Sequence, residues 1–219
     1  MFSTTDVLHT AVLCVIDITA IVANAILVYA ILTRTPPSMR SYSILLLNNV
    51  FVDVISATCS MLSVARLIYI GDFLQLYVYV GACSRIGAWF CHMCETIHSY
   101  LVCHSTVVLL HSFCFRLYVV RETFTEVSVP SSRMTFATCL VFYCPTVLMM
   151  VSLNVSHQYA QLERCMEQNV EIHRIGINIS DYRMVIAMTY LVLLSPSSII
   201  TIYLVRRRLL AVISKMVSE

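Results

Sequence analysis

Glu95 and His98 are two ionisable residues that lie three positions apart within a long apolar stretch of the chain. On a helix, side chains at this spacing share a face and can hydrogen-bond each other. Val102 continues that face, whereas His104 and His111 point almost the opposite way. If the helix spans a membrane, ionisable groups on it usually face a bundle interior or a water-filled cavity. The pattern predicts that Glu95, His98 and Val102 line a ligand-binding cavity. The alternative is a polar face that only hydrogen-bonds neighbouring helices.

A second set of polar residues is distributed over two earlier apolar stretches. Asp53 is near the middle of one of them, with Asn48 and Asn49 shortly before it, and Asn24 lies in the other. A buried carboxylate with amide partners could hold a sodium ion or a proton, or it could fix helix packing through hydrogen bonds between helices. Both interpretations place Asp53 inward. We therefore predict an intramembrane polar network of Asn24, Asn48 and Asp53.

Cysteine and histidine are mixed in the stretch that contains Glu95, and both are common metal ligands. Their side chains spread around the helix, however, and no other apolar stretch offers a second pair of histidines. We therefore predict no metal site and no other cofactor. The sequence also contains no nucleophile-elbow, zinc-protease or phosphate-loop motif and no arrangement of paired carboxylates. It does not predict an enzyme.

The composition decides the class of protein to which these residues belong. Of 219 residues, 59% are apolar and 12% are charged, and the formal net charge is +2. Soluble domains carry about 25% charged residues, so this chain cannot cover a folded surface with polar side chains. An ordinary cytosolic enzyme, a disordered tail and a nucleic-acid-binding protein are excluded. The composition predicts an integral membrane protein in a lipid bilayer.

Five stretches are long enough to cross a bilayer, which takes about 20 mainly apolar residues. They show no alternation of the kind that a membrane β-barrel needs, and the prediction is an all-α bundle. The predicted spans are residues 8–32, 41–65, 86–115, 134–153 and 184–205.

The 14 Lys and Arg residues set the predicted orientation. With the N-terminus outside, nine of them flank the spans on the cytoplasmic side and five lie outside, as the positive-inside rule requires. The first ten residues hold Asp6 and no basic residue, so they lack the basic start of a cleaved signal peptide. We predict a retained first span, an outer N-terminus and a cytoplasmic C-terminus.

One cysteine, Cys165, lies far from every predicted span, in the long outer segment between the fourth and fifth spans. Cys83 and Cys91 flank the outer start of the third span, and the outer compartment is oxidising. The sequence predicts a disulfide between Cys165 and either Cys83 or Cys91. Cys83 is the more exposed by its position, whereas Cys91 is better placed at the mouth of the helix.

Residues 34–120 resemble the nematode seven-transmembrane chemoreceptors, most closely the serpentine receptor class delta. The motifs that carry this resemblance are residues 37–48, 66–71, 81–83 and 112–118, together with Asp53, Cys91, His98 and His104. The last two spans resemble the family only in hydropathy. One departure is Ala82, at a position where the family leads us to expect proline.

The resemblance implies a G-protein-coupled receptor for small environmental molecules in the plasma membrane, specifically the ciliary membrane of a sensory neuron. Arg116 is similar to the arginine that ends the third helix of such receptors, although Phe115 replaces the acidic residue of rhodopsin-like receptors. With Arg121, Arg206 and Arg207 it would form a basic surface for a heterotrimeric G protein. The alternative is that these arginines only set the topology.

The resemblance also bears on the number of spans and on the disulfide. Five of seven expected spans are present, so we expect a truncated receptor that lacks helices six and seven and does not signal alone. A small transporter or channel subunit and a non-functional receptor fragment are the other interpretations. In rhodopsin-like receptors the bridged cysteine lies at a similar depth on the third helix, which favours Cys91 as the partner of Cys165.

Overall fold

The computed structural model describes residues 4–36, 39–70, 74–122, 131–156, 174–178 and 182–218. Within these residues the chain forms five long helices and one small sheet. The helices are α1 (Thr4–Arg34), α2 (Arg40–Ser63), α3 (Ala88–Glu122), α4 (Ser132–Ser156) and α5 (Tyr182–Ser218). The strands are β1 (Ala65–Ile70), β2 (Leu74–Tyr79) and β3 (Arg174–Asn178). A short 3-10 helix covers Ala82–Arg85.

Three of the described helices have the length and composition of membrane spans. With 31 residues in α1 and 35 in α3, these two helices are about 46 and 52 Å long at 1.5 Å per residue. The hydrocarbon core of a bilayer is only about 30 Å thick. Three segments within the described residues are long and apolar enough to cross it: Val7–Arg34, Arg40–Ser63 and Ala88–Val120. The helical membrane bundle predicted from the sequence is confirmed.

The ends of two helices differ from the predicted span limits for local reasons. α2 ends at Ser63, two residues before the predicted limit at 65, because Val64 adopts a left-handed conformation with φ 37° and ψ 67°. α3 begins at Ala88, two residues after the predicted limit at 86, because Gly87 has φ 146°, a conformation that favours glycine. α3 and α5 continue beyond the predicted limits at 115 and 205. The membrane boundaries and the orientation stay predictions.

A three-stranded sheet lies at the end of the bundle where α2 ends and α3 begins, which we call the sheet end. β1 and β2 form an antiparallel hairpin from Ala65↔Tyr79 to Ile70↔Leu74. β3 adds an antiparallel strand on the other side of β2, with Leu74 opposite Asn178. The sequence patterns predicted helices alone and missed this sheet. Its strands lie in the chain segments that connect the helices.

α3 is the central helix of the bundle. It packs against α2, α4 and α5, whereas α1 packs mainly against α2. A cluster of fully buried residues, Tyr79, Cys83, Cys91 and Tyr100, joins the sheet end to α3. The chain passes very close to α2 at Gly81, where an added Cβ would lie 2.0 Å from the carbonyl oxygen of Leu62. The side chains of α3 are therefore held from several sides.

Candidate functional site: two polar faces of helix α3

The first polar face of α3 is turned toward α2. Ser63 donates a hydrogen bond from Oγ to Oε2 of Glu95, with 2.9 Å between the two oxygens. Nδ1 of His98 lies 3.1 Å from both Oγ and the carbonyl oxygen of Ser56. Because a carbonyl oxygen only accepts, this contact requires the proton of His98 to be on Nδ1. Glu95 and His98 therefore each bond to a serine of α2, although their spacing also permitted a bond between them.

Helical spacing places Val102 on the same face as Glu95 and His98, but Val102 does not share their burial. It is 47% exposed, whereas Glu95 and His98 are half-buried. The structure thus brings Glu95 and His98 together on the α2 contact and leaves Val102 outside it. Ligand contact by these three residues stays a prediction. The hydrogen bonds to α2 support the alternative that Glu95 and His98 hold two helices together.

The second polar face of α3 is turned toward α4. Nδ1 of His104 lies 3.0 Å from Oγ1 of Thr146, and its ring centroid lies 4.3 Å from that of Tyr143. Two turns further on, the ring centroid of His111 lies 4.9 Å from that of Phe142. This face was visible in the sequence only as two histidines opposite Glu95. Their partners on α4 were missed, because periodicity identifies a face but not the helix that packs on it.

Two side chains on this second face carry buried polar atoms with no hydrogen-bond partner among the described residues. Tyr100 is 2% exposed and its hydroxyl is unpaired, and His104 is 1% exposed and its Nε2 is unpaired. They are four residues apart, which places them one above the other on the helix. Their spacing suits two groups that act on one small molecule.

The predicted polar network is not joined into one cluster. Oδ2 of Asp53 accepts a hydrogen bond of 3.1 Å from Nδ2 of Asn49, one turn earlier on α2. Asn48 instead accepts a 3.0 Å bond from the hydroxyl of Tyr143 on α4. Asn24 donates to a carbonyl oxygen of its own helix, at 2.9 Å. Each of the three predicted residues is thus satisfied by a different neighbour. Asn49 was among the amides expected beside Asp53, whereas Tyr143 was not an expected partner.

Opposite the sheet end lies the arginine end of the bundle, where α2 begins and α3 ends. The guanidinium group of Arg116 donates a hydrogen bond to the hydroxyl of Tyr42. Its carbon Cζ lies 5.0 Å from the ring centroid of Tyr42 and 5.4 Å from that of Phe113, within the range of a cation–π interaction. The ring of Tyr42 also stacks on Phe115, with 6.3 Å between centroids. An aromatic cage thus holds Arg116 against α2.

The other arginines predicted to contact a G protein lie on the same side of the bundle. Arg121 is in the last turn of α3, and Arg206 and Arg207 are exposed on α5. Because α5 starts beside the sheet end, its later turns approach the arginine end. The structure therefore places these residues where a shared basic surface is possible, and their role in coupling stays a prediction.

The disulfide predicted from the sequence is corrected by the structure. Cys83 and Cys91 bond to each other, with 5.1 Å between their Cα atoms, a separation suited to a disulfide. The 3-10 helix and the turn at Gly87 bring Cys83 back over the first turn of α3. The predicted bridge from Cys165 to either cysteine was wrong, because each is the other's partner. Cys165 itself lies outside the described residues.

The structure assigns no metal centre. In the ranges that it describes, no group of three or more His, Cys, Asp or Glu side chains has an arrangement that could hold a metal ion.

Comparison with known proteins defines the class. Residues 9–219 match the profile of the family described as serpentine type 7TM GPCR chemoreceptor Srd. The chain belongs to this family, and the resemblance that its motifs indicated is confirmed.

Individual relatives come from the nematode Caenorhabditis elegans. Serpentine receptor class delta-2 is 36% identical over 116 residues, which is 53% of this chain and 32% of the relative. Class delta-3 is 29% identical over 131 residues, 60% of this chain and 36% of the relative. Class delta-1 is 31% identical over 123 residues, 56% of this chain and 32% of the relative. The matched part thus spans about a third of the length of these curated relatives. No solved structure matches the chain.

Proposed function

We propose that the protein acts in a G-protein-coupled chemosensory receptor for small environmental molecules, with its sheet end outside the cell and its arginine end in the cytoplasm. Membership of the serpentine chemoreceptor family over residues 9–219 carries this proposal. The orientation follows from the distribution of basic residues, which favours the arginine end as cytoplasmic. The proposed location is the plasma membrane, in the cilium of a sensory neuron.

The arginine end is the proposed contact for a G protein. Arg116 is exposed although Tyr42 and Phe113 hold its guanidinium group, so a partner could engage it without unfolding α3. Arg206 and Arg207 add exposed positive charge on α5. The competing role is topological, since the same arginines would be retained in the cytoplasm without any partner. Arg116→Ala separates the two: coupling is lost at normal membrane insertion only if the contact is real.

The ligand is proposed to be small and largely apolar, because pockets between helices of a bundle are lined mostly by apolar groups. Glu95, His98 and Val102 are candidate contacts from the sequence. A ligand on Glu95 or His98 would share or displace the hydroxyl groups of Ser63 and Ser56. Changing Glu95 or His98 to leucine should abolish the response at normal surface expression if they bind ligand.

Signalling is proposed to need helices six and seven in addition to the five described here, because the family is a seven-transmembrane family. The test is expression of the 219-residue chain in cultured cells with a G-protein reporter, alone and together with a fragment that carries the last two helices of serpentine receptor class delta-2. We expect responses to small organic compounds only from the combination, with the chain alone retained inside the cell. Robust ligand-driven signalling by the chain alone would contradict the need for further helices. A silent combination at full surface expression would contradict the receptor function.

A further inference from the structure

The strongest unexplained feature of the bundle is the pair of unpaired polar atoms on Tyr100 and His104. The two side chains are 2% and 1% exposed, and neither the hydroxyl of Tyr100 nor Nε2 of His104 has a hydrogen-bond partner among the described residues. Buried polar groups in native proteins are nearly always paired. Two unpaired groups on adjacent turns of one helix, with Cβ atoms about 5–6 Å apart, lie close enough to share one partner.

Two neighbouring helices pack on the helix that carries this pair. Thr146 and the ring of Tyr143 on α4 fix the imidazole of His104. α5 packs against both α3 and α4. One turn beyond His104, Val108 is buried as well, at 2% exposure. The pair therefore forms a small polar spot in an apolar and aromatic contact region.

The charges of the described residues favour a neutral partner over a cationic one. Glu95 precedes His104 by nine residues and thus points about 180° away from it on α3, where it bonds to Ser63. Asp53 lies on α2 and Asp17 on α1, which packs mainly against α2. Among the described residues, no carboxylate is a hydrogen-bond partner of Tyr100 or His104. An ammonium group beside Tyr100 would be buried without a counter-charge, which is costly.

We infer that Tyr100 and His104 form the polar end of a ligand site between α3, α4 and α5, whose ligand is a neutral, mostly apolar molecule with one hydroxyl or carbonyl group. A hydroxyl group suits either tautomer of His104, because it can both donate and accept. A carbonyl group accepts from the hydroxyl of Tyr100 and from Nε2–H of His104. This inference rests on the proposed chemosensory function and names its ligand class. It places the ligand opposite the Glu95 face.

The test uses the whole chain, purified with its disulfide intact and placed in lipid nanodiscs. The probe is an aliphatic alcohol of about eight carbons that carries a photoreactive diazirine and an alkyne tag. We expect saturable labelling of peptides from α3, α4 or α5. 1-Octanol and 2-octanone should compete for this labelling, whereas octylamine and octane, which carry a cation and no polar group respectively, should not.

The variants Tyr100→Phe and His104→Leu connect this labelling to the two side chains. Each should weaken competition by 1-octanol about five- to tenfold, which corresponds to one net hydrogen bond. Tyr100→Phe removes only an unpaired hydroxyl, so the fold is retained. Matched controls are Tyr118→Phe, at a 38% exposed position of α3, and His9→Leu, at an exposed position of α1. Both controls should compete as the unchanged chain does.

The outcomes separate this site from the receptor function. Unchanged competition in both variants, absence of saturable labelling, or loss of labelling in Glu95→Gln alone would each overturn the site. If an ordered water molecule occupies the pair, competition by 1-octanol will be unchanged in both variants. Saturable labelling that depends on Tyr100 and His104, without any response in the reporter cells, would keep the site and refute the receptor function. A cellular response that persists in both variants would refute the site and support the receptor function.

Discussion

The hydrogen bond from Ser63 to Glu95 is the contact that best separates a packing role from a ligand-binding role on the α2 face. We consider the single variants Ser63→Ala and Glu95→Leu and the double variant that combines them. Ser63 is fully buried, at 0% exposure, and its Oγ lies 2.9 Å from Oε2 of Glu95. Loss of Ser63 removes this donor from Glu95, whereas loss of Glu95 leaves Ser63 with only its longer bond of 3.4 Å to the carbonyl oxygen of Ser60.

The size of the effect follows from the charge and burial of the pair. Hydrogen bonds to charged groups contribute about 1.5–3 kcal/mol in soluble proteins. Hydrogen bonds between membrane helices average about 0.6 kcal/mol, with a maximum near 1.7 kcal/mol. Because one partner is fully buried and the acceptor is a carboxylate, we expect a coupling free energy of about 1–2 kcal/mol. The bond between Ser56 and His98 has an imidazole in place of the carboxyl group and should give about half of this value.

The assay is reversible unfolding of the disulfide-intact chain in mixed lipid and detergent micelles, followed by helix content. A double-mutant cycle then gives the coupling between Ser63 and Glu95. Ser105→Ala is the matched control, because Oγ of Ser105 bonds only within α3, to the carbonyl oxygen of Val102 at 2.8 Å; it should leave the coupling unchanged. A coupling below about 0.3 kcal/mol would refute a packing role for Glu95. A drop in response per surface molecule in Glu95→Leu would then support ligand contact.

Three further predictions follow from the ends of the bundle. Non-reducing peptide mapping should recover Cys83 linked to Cys91, and Cys83→Ser should lower the free energy of unfolding by about 2–3 kcal/mol, as expected for a short closed loop; recovery of either residue as a free thiol would contradict the pairing. Tyr42→Phe should lower the free energy of unfolding by about 1 kcal/mol, because the hydrogen bond to Arg116 is lost while the ring remains. An unchanged unfolding midpoint would argue against the aromatic cage. Gly81→Ala should destabilise the chain by about 2 kcal/mol or more, because its Cβ would overlap a carbonyl of α2; normal stability would refute that close approach.

The helical architecture was predictable because apolar length and composition alone decide which segments can cross a bilayer. The helix ends were less predictable, because they depend on single backbone conformations at Val64 and Gly87. The strands were missed, since β1 and β2 have six residues each and lie beside longer apolar runs that dominate the hydropathy. The same limit applies to the disulfide: the return of the chain at Cys83 depends on a local 3-10 turn that no spacing rule supplies.

The candidate site was predictable as residue types and faces, but not as contacts. Helical spacing alone placed Glu95 and His104 on opposite sides of α3, and the structure agrees. Helical spacing could not identify the helix that packs on each side, since the neighbouring helix depends on the arrangement of the whole bundle. Tyr100 was missed for a related reason. A tyrosine in an apolar stretch gives no signal until the structure shows that its hydroxyl is buried and unpaired.

The two faces of α3 therefore differ in the free energy to which they contribute. The α2 face contributes to helix packing, and the opposite face contributes to the proposed ligand binding. On the α2 face, Oε2 of Glu95 and Nδ1 of His98 are already paired, so a ligand at these atoms would replace existing bonds and gain little net affinity. On the opposite face, the hydroxyl of Tyr100 and Nε2 of His104 have no hydrogen-bond partner among the described residues, so a ligand that bonds to them adds hydrogen bonds without replacing any of those described. Substitutions on the first face should act mainly through the stability of the α2–α3 pair. On the second face, Tyr100→Phe should act mainly through ligand affinity, because its hydroxyl has no hydrogen-bond partner among the described residues, whereas His104→Leu also removes the bond to Thr146.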